Sequence, residues 1–422
     1  LTRTLLLLAS AWLATGCFDA PQITVIGGGP AGTGGADGGT GGTAGVGASG
    51  GGAGEGGASL APVCDATVRE GCAEVERIWG GGSFTCAGLD DDTVRCFGLN
   101  DSGQLGSSSA PTSKFAMGVV VEGVPASAQI SLGDRHGCAV VDGVAKCWGR
   151  NTLGQLGTGD FRFHSVPVAN LVAAPVEAVS TFQSATCAVA SGEVVCWGLA
   201  LNGESWAGWD DGEAVVVPSL VNGLDSVVEV GVGTLHACAL RADDTVWCWG
   251  FGGDGSLGRG DTLDSTTPAP VAESLAHPVH RLAVAGAQSC VLAGEPPVVQ
   301  CWGSLPDLQG PTTEPTTMSA QPTGEVLDLQ LGQRHACVLL ADGRVQCWGR
   351  NTHGQLGTGS AETETPTSVT GLVDAFGLAL GSTHVCALHG ESELVCWGHN
   401  IFGQLGIPDG NSRGTPEPVP WN

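Results

Sequence analysis

Seven pairs of cysteines recur along the chain, the members of each pair 9 to 11 residues apart. Successive pairs are about 50 residues apart, the length of one four-stranded propeller blade, so the repeat constrains the architecture before any single residue is interpreted. The pairs are Cys86 with Cys96, Cys138 with Cys147, Cys187 with Cys196, Cys238 with Cys248, Cys290 with Cys301, Cys337 with Cys347 and Cys386 with Cys396. Only Cys17, Cys64 and Cys72 stand outside them.

Hairpin geometry turns the spacing into a pairing. Asp142-Gly143 lies midway between Cys138 and Cys147 and is a preferred two-residue hairpin turn, which sets Val141 against Val144 and Cys138 against Cys147. The cysteines then fall on a non-hydrogen-bonded pair, where Cα atoms approach to roughly 4.5 Å, within reach of a disulfide. Ser191-Gly192 does the same for Cys187 and Cys196. The spacings of 10 centre on Asp91, Asp243, Asp342 and Glu391, as three-residue loops would, and the spacing of 11 leaves Gly294-Glu295-Pro296-Pro297 at a hairpin tip. Buried reduced thiols and metal ligation are the alternatives, but zinc needs two converging pairs and each pair here is isolated on its own unit. Cys64 and Cys72 are read as an eighth pair.

Disulfides require an oxidising compartment, and residues 1–17, LTRTLLLLASAWLATGC, read as an export signal too short to span a bilayer. Ala14-Thr15-Gly16-Cys17 resembles a bacterial lipoprotein cleavage box, although Ala14 stands where Leu is commonest; the resemblance implies lipidation of Cys17. Residues 18–60 follow as a disordered tether, nearly all Gly, Ala, Thr and Ser from 27 onward, with little apolar surface to offset chain entropy. Gly27-Gly28-Gly29 is not a dinucleotide site, because no helix can follow in that tract. Residues 61–72 form a stapled lead-in and residues 73–422 the repeated head.

Each unit of the head reads as a valine-rich approach strand, a glycine turn, H-x-C-A-L, V-x-C-W-G and N-x-x-G-Q-L-G, as in LQLGQRHACVLLADGRVQCWGRNTHGQLG at 329–357. These units resemble the repeats of the regulator of chromosome condensation family, marked by W-G-x-N-x-x-G-Q-L-G. The register holds at Trp148, Gly149, Asn151, Gly154, Gln155, Leu156 and Gly157, again from Trp348 to Gly357, and again from Trp397 to Gly406. Phe97 replaces the tryptophan in the first unit, and the third and fifth depart furthest. The resemblance implies an all-β, seven-bladed β-propeller of four-stranded blades. Because Thr415-Pro416-Glu417-Pro418-Val419-Pro420 follows the seventh unit and no such strand precedes the first, the C-terminal strand is expected to complete the first blade and close the ring.

The tryptophans, opposite their cysteines across the strand, are expected to fill the space between blades. His136, His236, His335 and His384 stand two residues before cysteines, with Phe84, Ala185 and Gln288 in the same place elsewhere, and are read as structural rather than as metal ligands. Asp90-Asp91-Asp92 and Asp243-Asp244 are read as solvated turn carboxylates rather than a calcium site. No hydrolase elbow, zinc-protease or redox motif occurs, so no catalytic residue, metal or cofactor is assigned and the chain is not read as an enzyme.

Sixteen Lys and Arg against 42 Asp and Glu give a formal charge of −26, which repels phosphate backbones and argues against nucleic acid. The family resemblance implies chromatin binding and nucleotide exchange on a small GTPase; acidity, export and disulfides are taken to argue against both. The expectation is therefore a membrane-tethered, monomeric binding or scaffold propeller of the bacterial cell envelope with an unidentified extracytoplasmic protein partner. Alternatives are a specific inhibitor of an extracellular enzyme, or an enzyme with its site at the propeller channel. The candidate binding residues are Trp206, Trp209, Asp210 and Asp211, two large rings with a polar rim on the irregular connection of the third blade.

Overall fold

The computed structural model describes residues 73–110, 116–198, 214–304, 311–359 and 361–420. They form seven four-stranded antiparallel sheets, each from consecutive strands. The first blade comprises Val75–Gly80, Phe84–Leu89, Thr93–Gly98 and Ala116–Pro125; the seventh comprises Ala375–Leu380, His384–His389, Glu393–Gly398 and Arg413–Pro418. The first strands line a central channel and touch in ring order, the seventh returning to the first. One face carries the connections from first to second and from third to fourth strands. The opposite face carries the cysteine hairpins and the links between blades.

The cysteine hairpins have the expected register. Val141 pairs with Val144 and Cys138 with Cys147, and Asp142 and Gly143 both take positive φ, as this turn requires. Ala293 pairs with Val298, leaving the four residues 294–297 at that tip. Disulfides join Cys86 to Cys96, Cys138 to Cys147, Cys187 to Cys196 and Cys238 to Cys248 in the first four blades. In the last three they join Cys290 to Cys301, Cys337 to Cys347 and Cys386 to Cys396. All seven have Cα atoms 4.0 to 4.1 Å apart, closer than the spacing expected from the ladder alone, because the bond draws the two strands together. The proposed lipidation site Cys17 and the eighth pair, Cys64 and Cys72, lie outside the described residues.

The N-x-x-G-Q-L-G signature proves to be a socket for the next blade. Within the loop, Asn151 accepts from the Leu156 amide at 2.9 Å and Gln155 from the Leu153 amide at 2.9 Å, and the same two bonds recur at Asn400 and Gln404. So held, the loop presents a carbonyl: Gln104, Gln155 and Gln355 accept from the indole N–H of Trp148, Trp197 and Trp397, each one blade further on, at 2.8 to 3.0 Å. The glycine after the leucine is packed so closely beneath that ring, Gly157 under Trp197 and Gly357 under Trp397, that a Cβ would press on it. Each tryptophan is thereby buried in the core of the preceding blade.

The expected ring closure is corrected here. Arg413–Pro418 pairs with Glu393–Gly398 and is the outer strand of the seventh blade, while the first blade is complete without it. The sequence frame was displaced by one strand: the proline-bearing segment ends each unit rather than beginning it. Proline cannot donate to a ladder and suits an outer edge, where Pro167, Pro218, Pro268, Pro315, Pro366 and Pro416 all stand. Among the described residues no strand crosses between blades, and the first and seventh blades meet by the packing used at other blade boundaries. Phe97 and Val75 join Leu388, Leu405 and Val419 in one core. The Phe97 ring has no N–H to offer Gln404, so among the described residues that carbonyl keeps only the threonine bond also seen from Thr186 to Gln155: the Thr85 hydroxyl donates to it at 2.8 Å while facing His384 Nε2 at 2.8 Å. Thr85→Val leaves both groups buried without a partner, so a loss of about 1–3 kcal/mol is expected in urea denaturation. An unchanged midpoint would reject this account of closure.

Candidate binding faces

Trp206, Trp209, Asp210 and Asp211 lie outside the described residues. The histidines and turn carboxylates can be followed directly. His136, His236 and His384 are buried, and each Nε2 faces a hydroxyl of the next blade: Thr186 at 2.9 Å, Ser289 at 2.8 Å and Thr85 at 2.8 Å. Thr186 donates its proton to the Gln155 carbonyl at 3.0 Å, so His136 Nε2 is the donor to Thr186. Burial lowers His136 and His335 to about 4, and His236 and His384 to about 3. These pairs have the atoms of a nucleophile and base, but no substrate reaches them. Sequence reasoning missed the hydroxyl partners, although the signal was present: Thr85, Thr186 and Ser289 each precede the first cysteine of the unit following a histidine-bearing one.

Polar side chains of the channel wall are tied to neighbouring blades. Gln129 exchanges two hydrogen bonds with the Val179 backbone, and Gln330 does so with Leu378 and Leu380. Glu229, Arg281 and Asp328 stand at one position of blades four, five and six. Arg281 meets Asp328 at 3.0 Å, and burial raises the Glu229 carboxyl against the pull of Arg281. At the loop-face end, burial likewise raises Asp134, opposed by Arg135 and Arg150. Among the described residues no group of three or more His, Cys, Asp or Glu side chains is placed to hold a metal ion.

The hairpin face has a different composition. In six blades the first strand carries a β-bulge near its start, and the bulge turns one side chain to solvent. These residues are Glu76, Glu177, Val228, His280, Leu327 and Phe376. The rim of the channel is therefore acidic at blades one and three and largely apolar from blade four to blade seven. Val228, Leu327 and Phe376 are 46%, 41% and 38% exposed, and Val373 just before the seventh blade is 62% exposed. The hairpin tips carry exposed carboxylates, Asp243, Glu295 and Asp342 on blades four to six of this arc and Asp90, Asp142 and Glu193 on blades one to three. Asp91 caps its own turn through Thr93 and pairs with Arg95, and Asp243 is held ionised chiefly by the Thr245 hydroxyl, which fits turn carboxylates rather than a calcium site.

Comparison with known proteins agrees with the fold. Models of the regulator of chromosome condensation (RCC1) repeat match residues 227–256 and 326–355, and 243–293 and 342–388. The chain is 28% identical over 313 residues to the ultraviolet-B receptor UVR8 of Arabidopsis thaliana, covering 67% of each. It is 28% identical over 258 residues to the Homo sapiens E3 ubiquitin-protein ligase HERC2, covering 58% of this chain but only 5% of the ligase. Prp20p of Saccharomyces cerevisiae superposes with a TM-score of 0.64 at 18% identity, covering 82% of this chain and 87% of Prp20p. The described head is a seven-bladed β-propeller with the RCC1-type fold, and the RCC1 repeat models match within residues 227–293 and 326–388.

Four expectations are corrected by these findings. The relatives are plant, human and yeast proteins, which overturns the reading as a bacterial, lipid-anchored envelope protein. Among the described residues no helix is long and apolar enough to cross a membrane. The extracytoplasmic partner falls with that location. Dismissal of exchange activity, and with it the reading that the chain is not an enzyme, also falls: the fold is shared with Prp20p, and the acidity and disulfides taken as objections are carried without altering that fold.

Proposed function

We propose that this chain is a protein-recognition propeller whose hairpin face receives a basic segment bearing apolar side chains. The observation that carries this reading is the arc of bulge residues, Val228, Leu327 and Phe376 beside Val373, on blades whose hairpin tips bear the exposed carboxylates Asp243, Glu295 and Asp342. Large apolar side chains held outward by a strand irregularity are unfavourable in water, and grouped inside a polar rim they have the anatomy of an interface centre. The formal charge of −26 favours a basic partner and speeds its approach at low salt. Prp20p is described by its binding to Gsp1p and histones, which supports the choice of probes.

The test uses the whole chain with purified histones and a purified small GTPase in parallel, measuring affinity by titration and nucleotide release from the GTPase. Leu327→Asp with Phe376→Asp is expected to weaken the histone complex roughly thirtyfold or more, the effect of losing an interface centre, with thermal stability retained. Equal affinity of the double variant, or binding of neither probe, would reject this face as the site. Release of nucleotide would assign exchange to the chain whichever face is used.

A further inference from the structure

On the opposite face, a cleft of about 320 Å³ opens between blades six and seven. Its wall includes Gln333, Arg334, Arg350, Thr352, Ser382 and Thr383, and among the described residues no carboxylate lines it. That is unexpected in a chain with 42 acidic residues against 16 basic ones. Several other arginines are neutralised by carboxylates: Arg241 by Asp225 and Asp243, Arg281 by Asp328, Arg344 by Asp342, and Arg413 by Asp409 and Glu417.

The second blade supplies an internal comparison. Arg150 donates its backbone N–H to the Arg135 carbonyl at 2.8 Å, and Arg350 donates to the Arg334 carbonyl at 2.9 Å, so both blades set two arginines side by side at the same place. In the second blade Arg135 is answered by Asp101 at 2.5 Å and Asp134 at 3.7 Å, while the Arg150 side chain donates to the Thr152 hydroxyl at 2.9 Å. In the sixth, Gln333 stands where Asp134 would be, Arg334 meets no carboxylate among the described residues, and Arg350 has only Glu362 at 3.7 Å. Both arginines of the sixth blade are exposed. The Gln333 backbone N–H donates to the Ser382 carbonyl at 3.2 Å, which joins the two blades beside the cleft and sets Ser382 and Thr383 in its wall together with Arg334 and Arg350.

We propose that this cleft binds the phosphate group of a small phosphate monoester, with Arg334 and Arg350 as its cationic donors and the hydroxyls of Ser382 and Thr383 completing the site. Two guanidinium groups match a dianion in charge and offer paired N–H donors to its oxygens. The cleft volume is within the range of sites for small organic molecules, so the ester group can be enclosed as well.

The experiment titrates the full chain with phosphoserine, inorganic phosphate and acetate, read by calorimetry. Phosphoserine is expected to bind most tightly, inorganic phosphate less so and acetate least. Arg334→Gln with Arg350→Gln should weaken phosphoserine about tenfold or more, while Arg135→Gln leaves it unchanged. Unaltered thermal unfolding of the double variant shows that the loss is local, because both side chains are exposed. Failure of phosphoserine to bind, tighter binding of inorganic phosphate than of the ester, or equal binding by the double variant would each overturn the proposal.

Discussion

Reduction of the seven disulfides is expected to move the urea midpoint of this propeller further than any single substitution. Each bond closes a hairpin 9 to 11 residues long, for which the chain-entropy model gives about 2.7 kcal/mol as an upper guide. The bonds are one per blade and separately placed, so their losses should approach additivity. The cysteines are fully buried, so reduction requires opening and should be slow without denaturant. Unfolding curves with and without reductant provide the measurement, alongside Cys238→Ala with Cys248→Ala to isolate one blade. A reduced chain with an unchanged midpoint would mean that blade packing alone holds the ring.

Acid should destabilise the propeller well above the range in which exposed carboxylates titrate. The four buried histidines have folded values of about 3 to 4 against an ordinary 6.5, so the unfolded chain binds more protons. Their contribution is complete above pH 6.5 and declines as pH falls toward 4, by roughly 2 kcal/mol per histidine at pH 5. Glu229 and Asp134 act in the opposite sense, since burial raises both and protonation relieves them, which moderates the fall. Urea midpoints at pH 7.5 and pH 5 should therefore differ strongly. His136→Gln with His236→Gln should remove about half of that difference while lowering stability at pH 7.5. A midpoint independent of pH over this interval would contradict neutral buried rings.

Much of the fold was legible because its constraints are local. Turn chemistry at Asp142-Gly143 and Ser191-Gly192 dictated the register that sets cysteine against cysteine, and a period of about 50 residues repeated it seven times. The longer turns between Cys86 and Cys96, Cys290 and Cys301, Cys337 and Cys347, and Cys386 and Cys396 kept the same opposition, since a residue added at the tip leaves the strands below it in step. The glycines and tryptophans of the signature were correctly read as packing residues. The placement of the last strand was not, because a repeat written as a string has no origin: the same segment can be taken as the end of one unit or the beginning of the next. Proline at its fourth position was the available clue, since it requires an outer edge, and only the pairing of Arg413–Pro418 with Glu393–Gly398 settled the frame.

The candidate sites were less legible for a physical reason. Val228, Leu327 and Phe376 look like ordinary strand hydrophobes in sequence, and a one-residue bulge decides that they face water. Arg334 and Arg350, like Arg135 and Arg150, are separated by a whole hairpin, and whether a carboxylate answers them depends on the neighbouring blade. The chain by itself determined how many blades there are, which cysteines join and where each hairpin turns, because those follow from contacts a few residues apart. Which strand closes each blade, which hydroxyl each histidine meets and which charges remain unanswered were decided only when the blades were packed into a ring, since each depends on residues about one repeat away or, at the closure, nearly the whole head apart.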